Sequence, residues 1–157
     1  MTKITDFIDL NLNQKKMVLE WRNHPLIQNV MYNKTQIKLE EHLNFIHSLK
    51  NNNTKKYFLI EEDNQSIGVI DFVNINANDA ELGIYTNPNL KGQGKTLLKI
   101  LCTYAFNALH LKKIYAEVYI NNIKAIKLYE EFHFKTIGKK IKDTSEIYCM
   151  ELTYENW

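Results

Sequence analysis

The chain has 157 residues, 45% hydrophobic and 24% charged, with only two prolines, a composition that fits one ordinary globular domain able to bury a core. A net charge of +2 from scattered lysines supplies no basic block for nucleic acid, no apolar run approaches a bilayer span, and no signal peptide opens the sequence. The two cysteines, Cys102 and Cys149, have no metal or redox spacing and read as buried thiols of a cytoplasmic protein.

Ile4 to Leu10 alternates as a first strand. Asn13 to Asn23 reads as a helix with Met17, Val18 and Trp21 inward, ended by Pro25. Leu39, Leu43, Ile46 and Leu49 recur at helical spacing and predict a second helix over 38–50. Strands follow at Tyr57–Ile60 and Ile67–Val73, joined as a hairpin across Glu61–Ser66, and at Asp79–Tyr85, where Gly83 marks an expected bulge. A helix from Gly94 to Leu109 turns Leu97, Leu98, Leu101, Ala105 and Phe106 inward. Then come a strand at 113–120, a helix at 122–132 and two strands, Lys135–Ile141 and Glu146–Thr153. The predicted order is β-α-α-β-β-β-α-β-α-β-β in a single domain over 1–157, a mixed α/β (α+β) class.

The turn Asn87-Pro88-Asn89-Leu90-Lys91-Gly92-Gln93-Gly94-Lys95-Thr96 joins a strand to a helix and suits a phosphate. Glycines let the backbone approach closely, the first helical turn leaves N–H groups unpaired, and the helix dipole favours an anion there. A P-loop requires glycine where Asn89 stands, and a dinucleotide fingerprint requires its third glycine at Leu97. A third pattern, [Q/R]-x-x-G-x-[G/A], reads Lys91-Gly92-Gln93-Gly94-Lys95-Thr96, with Lys and Thr at its two ends. One strand later, Asn122-Ile123-Lys124-Ala125-Ile126-Lys127-Leu128-Tyr129-Glu130 reads N-x-x-A-x-x-x-Y-E.

Together the two signatures resemble those of the GCN5-related N-acetyltransferases (GNAT). The resemblance implies a mostly antiparallel twisted sheet splayed between its fourth and fifth strands, flanked by helices. It implies acetyl-CoA as acetyl donor, with the pyrophosphate on Lys91, Gly92, Gln93, Gly94, Lys95 and Thr96. The pantetheine arm would lie along the backbone of Ile84, Tyr85 and Thr86, whose N–H groups include the oxyanion donor. Tyr129 matches the family's general acid for the departing thiolate. Asn122 matches an asparagine that bonds pantetheine or caps the helix. Lys127 and Lys124 either reach the nucleotide phosphates or lie on a solvated face. Glu117 is the first candidate to accept the amine proton and Glu81 the second, because a carboxylate between strands is costly to bury without partners. His42 lies on a helix that lines the acceptor side in the family, and no cluster of residues has metal-ligand spacing.

On the acceptor side, Trp21-Arg22-Asn23-His24-Pro25, Met31-Tyr32, Glu41–Ile46, Tyr57–Leu59, Ile67–Ile75 and Leu82–Pro88 occur together, and His133-Phe134 follows the Y-E helix. The set resembles GNAT enzymes of pseudaminic acid biosynthesis, which acetylate the 4-amino group of UDP-linked 4-amino-4,6-dideoxy-N-acetyl-altrosamine. Under that resemblance the partner is a small nucleotide-sugar amine, with no nucleic acid or membrane, and the chain is a monomer or homodimer. Arg22 would pair with the diphosphate, Trp21 or Tyr32 would stack on uracil or the sugar, and Met31, Tyr32 and Tyr85 would face the C6 methyl. Core packing is the competing account of Trp21 and Met31. Two other functions stay open: a protein N-terminal acetyltransferase, since related W-R-N sequences occur there, and a non-catalytic acyl-CoA-binding regulator.

Overall fold

The structure, a computed structural model, describes residues 1–157. One sheet contains β1 (Thr2–Asp6), β2 (Lys56–Glu62), β3 (Gln65–Val73), β4 (Asp79–Thr86), β5 (Lys113–Tyr119), β6 (Lys135–Lys142) and β7 (Ser145–Thr153), in spatial order β1-β2-β3-β4-β5-β7-β6. Neighbours are antiparallel except β4 and β5. Alternation along the strands gives the sheet two buried faces. Phe58, Ile60, Ile70, Phe72, Leu82 and Ile114 pack against α4 (Gly94–Thr103) and the partly buried apolar side of α5 (Ile123–Glu131). Leu59, Val69 and Tyr85 face the other way, against α1 (Leu12–Asn23), the one-turn α2 (Pro25–Gln28) and α3 (Leu39–Ser48).

The expected splay is present. β4 and β5 pair only at Asp79–Lys113, Ala80–Ile114 and Glu81–Tyr115, although β4 continues to Thr86 and β5 to Tyr119. From Leu82 and Ala116 onward the strands part, leaving main-chain groups of β4 without a strand partner on that side.

Several local expectations need correction. The first strand stops at Asp6, whose carboxylate accepts from the Ile8 N–H at 3.1 Å and starts a 3-10 turn, Phe7–Asp9, that buries Phe7. Pro25 does end α1, but it also opens α2 at the first helical position, where its missing N–H and fixed φ are favourable. The helix begun at Gly94 is α-helical to Thr103 and widens into a π turn over Tyr104–Ala108. Gly83 is no bulge: it stands in regular register opposite Asp71, and the sheet's irregularities fall at Ile60/Glu61 and Thr136/Gly138. The glycine serves close approach instead, since a Cβ there would stand 2.7 Å from Asp71 Cγ. The hairpin turns Asp63-Asn64 and Asp143-Thr144 each hold two consecutive positive φ angles, which matches the twist of the strands they join.

Candidate active site

The predicted phosphate turn leaves backbone donors without partners. Asn87 organises it: its side-chain amide donates to Ser66 O (3.0 Å), its Oδ1 accepts from Asn89 N (3.0 Å), and its carbonyl accepts from Leu90 N (3.0 Å). Gly92 takes φ +74°, a region where a side chain would be strained. The first helical bond of α4 runs from Leu97 N to Gln93 O (3.0 Å), and no protein acceptor takes the N–H groups of Gly94, Lys95 or Thr96. Gln93 spends its side-chain amide on Lys91 O (3.1 Å) and leaves the helix start uncapped. A Cβ on Gly94 would stand 3.1 Å from Leu128 Cδ2, so that glycine lets α4 and α5 approach. Lys91 is exposed, whereas Lys95 pairs with Glu131 of α5 at 3.1 Å. Thr96 also borders a separate groove with Thr2 and Glu62, while Lys124 and Lys127 lie on the exposed side of α5.

A cavity of about 410 Å³ opens across the β4–β5 split. Glu81, Leu82, Gly83, Ile84 and Tyr85 of β4 form one lip, and Glu117, Val118 and Tyr119 of β5 form the other. Tyr129, Ala125 and Asn122 close one end. Arg22, Met31 and Tyr32 line the cavity too, the residues expected on the acceptor side, with Tyr57 and Asp71 reaching in from β2 and β3. Asn122 caps α5, its Oδ1 accepting from Ala125 N at 3.3 Å, and borders the cavity as well.

The three carboxylates in this cavity differ in their support. Burial alone would raise Glu117, but hydrogen bonds from the Lys140 ammonium and from Tyr32 OH (2.8 Å), with the charges of Lys140 and Lys142, hold it below the ordinary carboxylate range. Glu81 is raised by burial and then by the charge of Glu117. Asp71 is pushed up to about 7, by burial first and by the charge of Glu81 second, with Lys55 opposing. No donor in the protein reaches its carboxylate. Burial, and after it the charge of Asp71, raises the Tyr129 phenol, so Tyr129 carries its proton at neutral pH.

At the acceptor end Tyr32 meets the Tyr119 ring edge-on at 5.7 Å, and Lys142 lies 3.9 Å over the Tyr32 ring. Arg22 donates through Nη2 to Asn33 O at 3.0 Å, while its Nη1 is buried without a partner. Two acceptor candidates fall away. Trp21 is buried in the core beside Val18 and does not border the cavity. His42 is buried on α3 against α1, its Nε2 donating to Lys15 O at 2.8 Å, and burial lowers its pKa, so it is a neutral structural donor.

Sequence reasoning named Asp71 and Tyr57 only within the acceptor-side runs Ile67–Ile75 and Tyr57–Leu59, without a role of their own, and missed Lys140. Asp71 had a signal: it is a lone carboxylate in the apolar run Ile67–Val73, the same burial argument that singled out Glu117 and Glu81. Lys140 had none, because its partner becomes visible only once β6 is registered on β7. No group of three or more His, Cys, Asp and Glu side chains is placed to hold a metal ion, and no helix is long and apolar enough to cross a membrane.

Residues 16–134 match the sequence pattern of the Acetyltransferase (GNAT) family. Acetyltransferase PseH of Campylobacter jejuni (strain 81-176) is 45% identical over 151 residues, 96% of this chain and 94% of the relative. The crystal structure of Campylobacter jejuni N-acetyltransferase PseH in complex with acetyl coenzyme A superposes with TM-score 0.81 at 36% identity, covering 98% of this chain and 99% of that one. Spermidine N-acetyltransferase from Vibrio cholerae, with CoA and spermine, superposes at TM-score 0.89 over 99% of this chain and 96% of its own, at 22% identity, a likeness of fold alone.

Proposed function

Because the chain belongs to the acetyltransferase (GNAT) family, we propose that it transfers the acetyl group of acetyl-CoA to the 4-amino group of UDP-linked 4-amino-4,6-dideoxy-N-acetyl-altrosamine, a step of pseudaminic acid biosynthesis in the cytoplasm. It is an acetyl-CoA-dependent N-acetyltransferase. The observation that carries the reading is the cavity across the β4–β5 split, which brings a protonated phenol, Tyr129, and three carboxylates onto the unpaired side of β4, the strand that leads into the free-amide turn.

In this reading the CoA pyrophosphate sits on the unpaired N–H groups at the start of α4. Lys91 adds charge without the bidentate fork of an arginine. Pantetheine pairs with the free side of β4 along Ile84, Tyr85 and Thr86, and a β4 N–H stabilises the oxyanion. Tyr129 protonates the departing thiolate. At the acceptor end, Met31, Tyr32 and Tyr85 give an apolar wall for the deoxygenated sugar carbon, and the unpartnered Nη1 of Arg22 suits a diphosphate oxygen.

A thiol-release assay with acetyl-CoA tests the assignment by comparing the UDP-4-amino sugar with N-terminal peptides. The sugar is expected to exceed every peptide in kcat/KM by about a hundredfold or more, since a site that pairs a ligand's polar groups rejects a ligand lacking them. Equal use of peptides would make the chain a protein N-terminal acetyltransferase, and acetyl-CoA binding without turnover of any amine would make it a regulator.

A further inference from the structure

Tyr57, Asp71 and Gly83 form one cross-strand row over β2, β3 and β4. Where β5 would continue the row, the strands have parted. Glu117 stands across the split, paired with Cys149 of β7. Asp71, behind the β4 lip on β3, and Glu117, on the β5 lip, therefore face one cavity. Their surroundings differ. Glu117 is occupied by Tyr32 OH and the Lys140 ammonium, whereas Asp71 has no donor and lies in the volume that a side chain at position 83 would fill. That niche is over β4 beside Ile84, on the segment along which the proposed thioester lies.

We propose that Asp71 receives the proton of the attacking amine, and that Glu117 is a positioning residue which holds Tyr32 at the acceptor wall. The inference rests on acetyl transfer to an amine but not on which amine. The amine nitrogen forms a bond to the thioester carbonyl carbon, and its surplus proton passes to the Asp71 carboxylate. The C–S bond then breaks, sulfur leaves with the bonding pair, and the Tyr129 phenol protonates it. Asp71, now protonated, and the Tyr129 phenolate return to their starting states by exchanging one proton through solvent. The roles follow from proton affinity. An unpaired carboxyl poised near neutral pH accepts a proton readily, whereas one already held by an ammonium and a phenol is a weaker acceptor. Around Asp71 stand Tyr57 on β2, Glu81 and Tyr85 on β4, Arg22 on α1, Tyr129 on α5 and Lys55 just before β2. Of these, Glu81 is the other carboxyl, and burial with the charge of Glu117 raises it as well.

The test is the pH dependence of kcat and kcat/KM for wild type, Asp71→Asn, Glu81→Gln and Glu117→Gln, with melting temperature and acetyl-CoA affinity measured alongside. Wild type should show an acid limb near pH 7. In Asp71→Asn that limb disappears and kcat falls about a hundredfold, the usual contribution of a general base, while acetyl-CoA affinity stays within about threefold. Glu117→Gln should raise the acceptor KM and keep the limb, and Glu81→Gln, which removes a charge that raises Asp71, should keep the limb but move it to lower pH. A limb surviving in Asp71→Asn, or vanishing in Glu81→Gln or Glu117→Gln, overturns the proposal. Should Asp71→Asn fail to fold, the other two profiles decide by the same criterion. Wild type inactive on the UDP-4-amino sugar overturns the acceptor assignment alone, and the profiles are then taken on an amine it does acetylate. No turnover of any amine overturns both.

Discussion

Asp71 carries a desolvation cost with a defined pH signature. Its carboxyl moves from an ordinary 3.8 to about 7 in the folded chain, so between those pH values the native state holds a proton that the unfolded state has released. Stability therefore falls as pH rises through that window and stays reduced above it. The carboxyl opens onto a cavity that admits water, so the effect is expected to be about 1–2 kcal/mol, below the full value of a shift of roughly three units. Asp71→Asn should accordingly be more stable than wild type by that amount in urea melts at pH 8 and no more stable at pH 4, and a difference independent of pH would contradict this. His42 behaves oppositely: it is neutral, buried and donating to Lys15 O. His42→Ala should cost about 2 kcal/mol through the lost hydrogen bond and the cavity left behind, with kcat and both KM values unchanged, and a shift in acceptor KM would return His42 to the site. Tyr129 was legible from its place in N-x-x-A-x-x-x-Y-E, and the structure adds burial that keeps its phenol protonated. Trp21 shows where residue reading stops. An aromatic at helical spacing is the same letter whether it packs or binds, and only the packing of α1 on the sheet puts it in the core.

The β6–β7 hairpin lies where the sequence placed it, but what its side chains reach was not legible there. Every residue of β6 is exposed, and its lysines suit an edge strand that must not pair with other chains. Two of them reach the acceptor end instead, Lys140 to Glu117 and Lys142 over Tyr32. Lys140→Met should free Glu117 and loosen Tyr32, raising the acceptor KM several-fold while the acetyl-CoA KM stays constant. Equal rises in both would show that the hairpin supports the whole split and not the acceptor wall. At the other end, Gly92→Ala meets no steric obstacle but strains a φ of +74°. It should cost about 1 kcal/mol and raise the acetyl-CoA KM with the acceptor KM unaltered, and isothermal titration with acetyl-CoA reads the loss directly. The turn was legible because glycines, lysines and a helix start lie within a few residues of one another. The Gly83 bulge was misread for a related reason: a strand glycine signals a kink or a close approach, and only the register opposite Asp71 decides between them.

Across the whole molecule, the two hydrophobic clusters lie on opposite faces of one sheet, and the cavity lies where β4 and β5 cease to pair. The donor turn and Tyr129 belong to the helices on one face, Arg22, Met31 and Tyr32 to the chain on the other, and the carboxylates to the strands between. That arrangement explains what could be read in advance. Element order and the donor signatures are local and survive in a single sequence. The acceptor end assembles residues from positions 22 to 142, and their meeting depends on strand register and on how far the split opens. Function then requires that one cavity bring acetyl-CoA to a nucleotide-sugar amine. The most direct measurement follows the carbon-13 label of acetyl-CoA by NMR during incubation with the UDP-4-amino sugar. One amide is expected, at the 4-nitrogen, formed with one equivalent of free CoA thiol and no label left on the protein. Label retained on the protein, or transferred to a peptide amine while the sugar remains unmodified, would contradict it.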